Sequence, residues 1–423
     1  MIEELYRIYK KHSSVSTDSR NITKDCIFFA LKGEHFNGNI YAKEALQKGA
    51  AYAVIDESEF NLPKGTILVE NVLETLQKLA NYHRKQLKVP IISLTGSNGK
   101  TTTKELINAV LSKKFKTTAT KGNLNNHIGV PLTLLSMNED TEIGIVEMGA
   151  NHQKEIEFLS NIAEPDYGYI TNFGKAHLEG FGGVEGVIKG KSELYDYLKA
   201  NDKFIFVNAN DQKQIERTKQ ANKYTFGDTD NTNITIEFQS ANPMVHLKVG
   251  QTEIKSHLIG AYNFSNIAAA VAIGTYFNVD RNSIKEAIES YIPSNNRSQI
   301  IKKNTNKIIL DAYNANPTSM KAALDNFSSL SDIKKIAFLG DMFELGESAK
   351  EEHQSISDYA ATLTIDTIYL IGENFSKTTN KDKNIITHSS FNSLKDNFPS
   401  ITDSTLLIKG SRGMALERIL ELL

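Results

Sequence analysis

Residues 95–104 read Thr-Gly-Ser-Asn-Gly-Lys-Thr-Thr-Thr-Lys and directly follow the apolar run Ile91-Ile92-Ser93-Leu94. No other segment restricts the fold so tightly. The run has the length and β-branched content of a buried strand, and the glycines after it let the backbone turn sharply into a helix starting near Thr101. A helix start aims free N–H groups and a positive dipole end outward, so this loop is a cradle for phosphate. Gly96 and Gly99 allow close backbone approach, with Ser97, Asn98 and Thr102 in the same cradle. Lys100 is placed for the β- and γ-phosphates of a nucleotide and Thr101 for Mg²⁺. The long phosphate-loop pattern needs a glycine six positions before the lysine. Leu94 stands there, so the motif is the shorter G-x-x-G-K-T, which points away from ordinary phosphate-loop ATPases. The blander reading, a glycine turn with a solvated lysine, is disfavoured by the strand before the loop and the helix after it.

A chain of 423 residues with 40% hydrophobic content is too long for one core. At about 100–200 residues per domain it holds two to four, and the pattern argues for three: 1–86, 87–294 and 295–423. The formal charge is −2 and no Lys/Arg block exceeds three residues, so neither a nucleic-acid footprint nor a polybasic membrane patch is present. Cys26 is the only cysteine, which excludes an intrachain disulfide or a cysteine-rich zinc site. It lies in an apolar run, Cys26 to Ala30, and reads as packing. No stretch of 18 apolar residues occurs, so a soluble cytoplasmic protein is expected, and a monomer, since no unpaired apolar segment stands out.

The first 86 residues hold strands at Ile27 to Leu31 and Ala51 to Ile55 and helices at Tyr41 to Lys48 and Leu73 to Gln86, a small α/β unit. Val89-Pro90 restarts the chain as a strand, because proline disfavours helix in the residue before it. Strands at Ile91 to Thr95, Ile143 to Met148, Tyr167 to Thr171 and Phe204 to Val207 then alternate with helices at Thr101 to Ser112, near Ile156 and at Val184 to Lys199. Such alternation implies a mostly parallel sheet with helices on both faces. Ile234 to Phe238, Val245 to Val249 and Ile254 to Ile259 break it as short runs joined by polar turns, an antiparallel flap on the sheet's edge. Helices at Asn263 to Tyr276 and Asn282 to Ile292 close the unit, and Pro293 to Asn296 is a linker. The alternation then restarts, with strands at Lys307 to Leu310, Ile336 to Leu339, Thr367 to Ile371 and Thr405 to Ile408 and helices at Ser319 to Leu330, Lys350 to Leu363 and Met414 to Leu423. The fold class is therefore α/β: a small N-terminal domain, a central phosphate-loop domain on a mostly parallel sheet, and a Rossmann-like C-terminal domain without a phosphate loop of its own.

Glu147 ends the strand Ile143 to Met148, at the edge where open α/β sheets bind ligands, and is a candidate Mg²⁺ ligand because a phosphate loop lies on the neighbouring strand. His177, after Thr171-Asn172-Phe173-Gly174-Lys175-Ala176, reaches the same edge. Histidine is an unusual Mg²⁺ ligand, so a structural role stands beside a ligating one. Lys189, Lys191 and Glu193 share one helix and by pattern read as a solvated face. Asparagines cluster at Gly122 to Pro131 and at Tyr313-Asn314-Ala315-Asn316-Pro317, where loops are the plain expectation, although such loops suit sugars, peptides and carbonyls. Gly340 to Gly346 and Lys409-Gly410-Ser411-Arg412-Gly413 each follow a strand directly.

Together these residues resemble the Mur ligase family, ATP-dependent enzymes that add amino acids or a dipeptide to the UDP-linked muramic acid precursor of peptidoglycan. The resemblance covers nearly the whole chain. It runs through Thr17-Asp18-Ser19-Arg20, Ile27 to Glu34, the phosphate loop, Asn123 to Pro131, Glu147-Met148-Gly149-Ala150-Asn151 and Thr171 to His177. The segments Asp311 to Pro317, Gly340-Asp341-Met342 with Glu344-Leu345-Gly346, and Lys409 to Arg412 resemble the branch of the family that joins D-alanyl-D-alanine to UDP-N-acetylmuramoyl-tripeptide, and the resemblance implies that reaction, through an acyl phosphate, as the expectation here. The resemblance implies two Mg²⁺ ions at Thr101, Glu147, His177 and Lys191, with Lys191 carbamylated by CO₂ and Lys100, Glu147, His177 and Lys191 catalytic. It further implies ATP contacts from Asn263, Asn266, Arg297, Asp311 and Tyr313, and UDP-substrate contacts from Asp18, Ser19, Arg20, Lys32, Gly33, Asn123, Asn125 and Asn126. Dipeptide contacts would come from Asn314, Asn316, Lys409, Ser411 and Arg412. Three positions depart from the family pattern: Asn37, Asn39 and Tyr262 stand where many relatives carry Asp, His and His. Another ligase of the superfamily, such as a folylpolyglutamate synthase, would share the ATP loop but lack the Tyr-Asn-Ala-Asn-Pro and Lys-Gly-Ser-Arg segments. A nucleotide-binding relative that has lost ligation is disfavoured by the presence of Lys100, Glu147, His177 and Lys191.

Overall fold

The computed structural model describes residues 1–294, 296–380 and 382–423; Asn295, in the expected linker and at the expected start of the third domain, lies outside the described residues. The α/β class holds, with one parallel-type sheet in each third of the chain. The N-terminal sheet has four parallel strands in the order Val15–Ser16, Ile27–Phe29, Tyr52–Ile55 and Thr66–Leu68. The central sheet has seven, all parallel: Ile234–Thr235, Asn222–Gly227, Phe204–Asn208, Tyr167–Ile170, Ile91–Thr95, Ile143–Glu147 and Thr117–Ala119. The C-terminal sheet has six, in the order Gln299–Lys303, Asn306–Asp311, Thr405–Lys409, Lys335–Gly340, Thr367–Ile371 and Ile385–His388, with only the first antiparallel to its neighbour.

The phosphate-loop strand Ile91–Thr95 lies between the strand ending in Glu147 and the strand leading to His177, with Leu94 opposite Glu147 and Thr95 opposite Ile170. All five of its residues are buried, as the apolar run requires. Its two neighbours leave the same edge, so three loops converge there. Helix Lys100–Leu111 packs on Phe264–Tyr276, whose alanine-rich face permits close approach.

Three expectations change. The segment Ile234 to Phe238 is not one flap strand: Ile234–Thr235 extends the main sheet in parallel, and Glu237–Ala241 joins the antiparallel flap with Met244–Val249 and Thr252–Ile259. Buried Ile234 and Ile236 flank the switch between the two sheets. Met414 to Leu423 is not an α-helix but the short 3₁₀ turns Arg412–Met414 and Leu416–Glu421. Ala415, at φ 46°, interrupts the segment, and buried Leu416 and Ile419 fit the three-residue repeat of the tighter helix. Within the stretch Gly122 to Pro131 read as loop, a helix, Gly129–Leu135, begins, with Pro131 in its first turn.

Helix Val72–Leu87 fastens the N-terminal sheet to the central one. Arg84 donates to the carbonyls of Ala163 and Glu164 at 3.1 and 2.9 Å and pairs with Asp166 at 2.7 Å. His83 Nε2 lies 2.9 Å from the Met137 carbonyl, and Tyr9, on helix Ile2–His12, donates to that of Leu135. Arg84→Ala removes a set of charge-assisted bonds at a largely buried seam. It is expected to lower unfolding stability by about 2 kcal/mol, read from a urea midpoint; a shift below about 0.5 kcal/mol would place the inter-domain hold elsewhere.

Candidate active site

The loop after Ile91–Thr95 is built of conformations that only glycine tolerates. Gly96 has φ 143° and a Cβ there would lie 2.0 Å from Thr171 Oγ1; Gly99 has φ 78° and a Cβ would meet Asn266 Oδ1 at 2.5 Å. The loop is held from the neighbouring strand. Asn98 N–H donates to Asn172 Oδ1 at 3.1 Å, the Asn98 carbonyl accepts from Thr171 Oγ1 at 2.6 Å and Asn172 Nδ2 at 3.0 Å, and Ser97 Oγ donates to Gly174 O at 2.7 Å. Lys100 Nζ arches over the loop, donating to the Gly96 and Ser97 carbonyls at 2.8 and 3.3 Å. Burial pulls its ammonium below the ordinary lysine value, with Glu147 opposing and Arg297 adding.

Glu147 is buried, 1% exposed. Its Oε1 accepts from Thr101 Oγ1 at 3.2 Å and Asn125 Nδ2 at 2.7 Å, and its N–H donates to Thr120 Oγ1 at 3.0 Å. Its Oε2 has no donor among the described residues. His177 sits in the left-handed region at φ 53°, and its Nδ1 lies 2.5 Å from Glu344 Oε2. That neighbour holds the Glu344 carboxyl below its usual range. Lys191 is fully buried, donates to the Ala150 carbonyl at 3.0 Å, and lies 4.7 Å from the centre of the Phe181 ring. Burial, with Lys100 adding, drives its ammonium well below the ordinary value. Lys189 is exposed. Glu193 caps another helix: its two oxygens accept Lys154 N–H at 2.6 Å and Glu157 N–H at 3.0 Å at the start of Glu155–Ala163.

A cavity of about 1490 Å³ opens between helix Val72–Leu87, the central sheet and the C-terminal sheet. Its walls include Ser97, Asn98, Gly99, Lys100, Thr101 and Thr102 of the loop, then Glu147 and His177, and Asn123, Asn125 and Asn126. Farther round stand Asn263 and Asn266, then Arg297, Asp311, Tyr313, Asn314 and Lys409. Asn266 Nδ2 donates to Asn263 Oδ1 at 2.8 Å and its Oδ1 accepts from Thr103 at 3.0 Å. Arg297 stacks on Tyr313 at 3.5 Å from the ring centre, and Lys409 pairs with Asp311 at 2.6 Å. Tyr262 fills its departure from the family pattern by bonding Ser298 Oγ at 2.9 Å.

Other sequence candidates lie off the cavity wall. Gly96 and Lys191 sit behind it. Asp18 and Arg20 pair with each other at 2.8 Å, Ser19 gives its carbonyl to Lys48, and Lys32, beside Gly33, pairs with Asp56 and Glu57. Asn37 and Asn39 join that network through Glu57 and Asp56. Ser411 Oγ accepts Phe343 N–H at 2.9 Å, Arg412 pairs with Glu417 at 3.2 Å, and Asn316 bonds Asn98. Sequence reading missed Asn172 and Thr120, which hold Asn98 and Glu147 in place. Both follow a strand end by one or two residues, the signal that marked Glu147.

Three family models match in succession: "Mur ligase family, catalytic domain" over residues 11–95, "Mur ligase middle domain" over 94–274 and "Mur ligase, glutamate ligase domain" over 296–411. A UDP-N-acetylmuramoyl-tripeptide–D-alanyl-D-alanine ligase of Bacillus subtilis is 34% identical, over 96% of this chain and 92% of its own. A crystal structure of MurF from Acinetobacter baumannii is similar with a TM-score of 0.84 at 30% identity, covering 97% of this chain and 92% of that one. MurF from Thermotoga maritima, solved in complex with ADP, is similar with a TM-score of 0.83 at 26% identity, covering 97% and 96%.

Gly96→Ala drives a methyl into Thr171 and strains the loop by about 1–3 kcal/mol. Affinity for a non-hydrolysable ATP analogue, measured by calorimetry, is expected to fall about tenfold or more; parental affinity would overturn the cradle reading.

Proposed function

The chain belongs to the Mur ligase family, and we propose that it joins D-alanyl-D-alanine to UDP-N-acetylmuramoyl-tripeptide with ATP, forming ADP and phosphate in peptidoglycan precursor synthesis. It is an ATP-dependent carboxylate–amine ligase. The observation that carries this is identity above 30% along nearly the whole chain to ligases of that name. We assign residues 1–86 to the UDP-substrate, 87–294 to ATP and 295–423 to the dipeptide. A monomer working in the cytoplasm fits that role; among the described residues no helix is long and apolar enough to cross a membrane.

In the first step the terminal carboxylate of the tripeptide attacks the γ-phosphorus, the bond to the β-phosphate oxygen breaks, and ADP leaves an acyl phosphate. In the second, the dipeptide amine adds to the acyl carbon, loses a proton, and phosphate departs. The first step crowds anions together, so Lys100 and the loop N–H groups act where charge gathers. Asn263, Asn266, Arg297, Asp311 and Tyr313 seat the nucleoside, while Asn123, Asn125 and Asn126 meet the muramoyl substrate. Asn314 and Lys409 present polar groups from the C-terminal side for the dipeptide.

The donor set also fits Mg²⁺. Among the described residues Glu147 Oε2 is a buried carboxylate oxygen without a donor, while Oε1 accepts the Thr101 hydroxyl, an arrangement that suits a hard cation. Thr101, Glu147, His177 and a carbamylated Lys191 would hold it, and when bound it neutralises phosphate oxygens. Lys191 suits carbamylation because burial favours its neutral amine, the form that adds to CO₂.

Phosphate release from ATP with Mg²⁺ and bicarbonate is expected only when UDP-muramoyl-tripeptide and D-alanyl-D-alanine are both present; release with neither, or none with both, would sink the assignment. Lys100→Ala is expected to lower kcat by about 100-fold or more, with a smaller loss of nucleotide affinity. Equal losses in both would make Lys100 a binding group only.

A further inference from the structure

Asn316 belongs to the segment that the resemblance assigns to the dipeptide, yet its side chain is 6% exposed and occupied on both sides. Its Oδ1 accepts the Ser319 N–H at 2.9 Å, capping helix Pro317–Ser328, and its Nδ2 donates to Asn98 Oδ1 at 2.7 Å. These two bonds leave the amides no choice of orientation. A backbone N–H only donates, so Asn316 must show oxygen to Ser319 and nitrogen to Asn98. Asn98 must then show oxygen to Asn316 and turn its own nitrogen away. That nitrogen is buried and has no acceptor among the described residues. The main chain of Asn98 is already engaged by Thr171 and Asn172. Its Nδ2 is therefore the donor Asn98 has left, in the loop between Gly96 and Gly99.

We propose that Asn316 is a positioning residue: acting through Asn98, it fixes a side-chain amide donor of the phosphate loop toward the triphosphate of the bound nucleotide. The proposal rests on the ligase reading of the loop. Donors run in series from the Ser319 N–H through the Asn316 amide to the Asn98 amide, each polarising the next. The helix behind them adds its positive end. The same turn is held to the loop that leads to His177, since Lys175 N–H donates to Thr318 Oγ1 at 3.0 Å. Gly174 leaves room for the junction: a Cβ there would lie 2.9 Å from Asn98 Nδ2 and 3.2 Å from Thr318 Oγ1. Docking of the C-terminal domain and grip on the triphosphate are thereby the same event.

Asn316→Ser separates this role from helix capping. Serine caps a helix as well as asparagine does, but it is neutral, has no amide and is too short to reach Asn98. In the full-length protein the melting temperature is expected to stay near the parent's. Calorimetric affinity for a non-hydrolysable ATP analogue is expected to fall about tenfold, roughly the loss of one charge-assisted bond, and that for adenosine to stay unchanged. In an Asn98→Ala background the same substitution is expected to have no further effect, because Asn316 acts through Asn98. Parental affinity in Asn316→Ser, or a full additional loss on top of Asn98→Ala, overturns the proposal. If the serine variant does not fold, Asn316→Thr, also neutral, without an amide and a helix-capping residue, carries the same expectation for the analogue and adenosine. A parent chain that binds no analogue at all would bring down the ligase reading together with this one; a parent that binds, with a variant that binds equally, brings down this one alone.

Discussion

Everything at the site depends on one strand, Ile91–Thr95, being held between two parallel neighbours whose loops leave the same edge. The phosphate loop does not stabilise itself. Its backbone groups are satisfied by Thr171 and Asn172 from one side, and Glu147 is steered from the other by Thr120 and Asn125. A glycine-rich turn with unsatisfied carbonyls would collapse or wander, so the neighbouring strand ends supply the order that the glycines give up.

The site is expensive in buried charge. Lys104 is 3% exposed and donates to the Thr120 carbonyl at 2.7 Å, Lys191 is fully buried, and Glu147 keeps one oxygen without a donor among the described residues. Burial on this scale disfavours the charged forms unless partners meet them. Lys104 is satisfied within the protein. Among the described residues Lys191 donates to one carbonyl and lies over one ring, and one Glu147 oxygen has no donor, so these two charges are the least compensated at the site.

What the sequence made legible follows from how local each signal is. Ile91 to Lys104 could be read because apolar run, glycines and helix start are contiguous, and Glu147 because it ends an apolar strand. The edge strands Thr117–Ala119 and Ile385–His388, and Asn222–Gly227 one place in from an edge, escaped because their residues are half polar and gain strand character only by pairing. By pattern alone Lys191 looked like a solvated lysine beside Lys189. Only the packing of its helix against the loop carrying Ala150 separates the buried one from the exposed one. Glu193 carried no local sign of its task, because the helix it caps begins nearly forty residues earlier.

The cavity's walls come from all three parts of the chain, through helix Val72–Leu87 and the edges of the central and C-terminal sheets, and this bears on an intermediate that water destroys. An acyl phosphate survives only if the carboxylate is activated where solvent is kept out and the amine is already close. Asn98 to Asn316, Lys175 to Glu352 at 2.5 Å and His177 to Glu344 all cross between the central and C-terminal sheets, and each starts from a loop at the phosphate-binding edge. The contacts that seat the C-terminal domain are therefore made by residues next to the reacting phosphate. Domain seating and phosphate binding cannot be optimised independently in such an arrangement. On the proposed assignment of residues 295–423 to the dipeptide, activation of the carboxylate is confined to the geometry in which that domain is already in place.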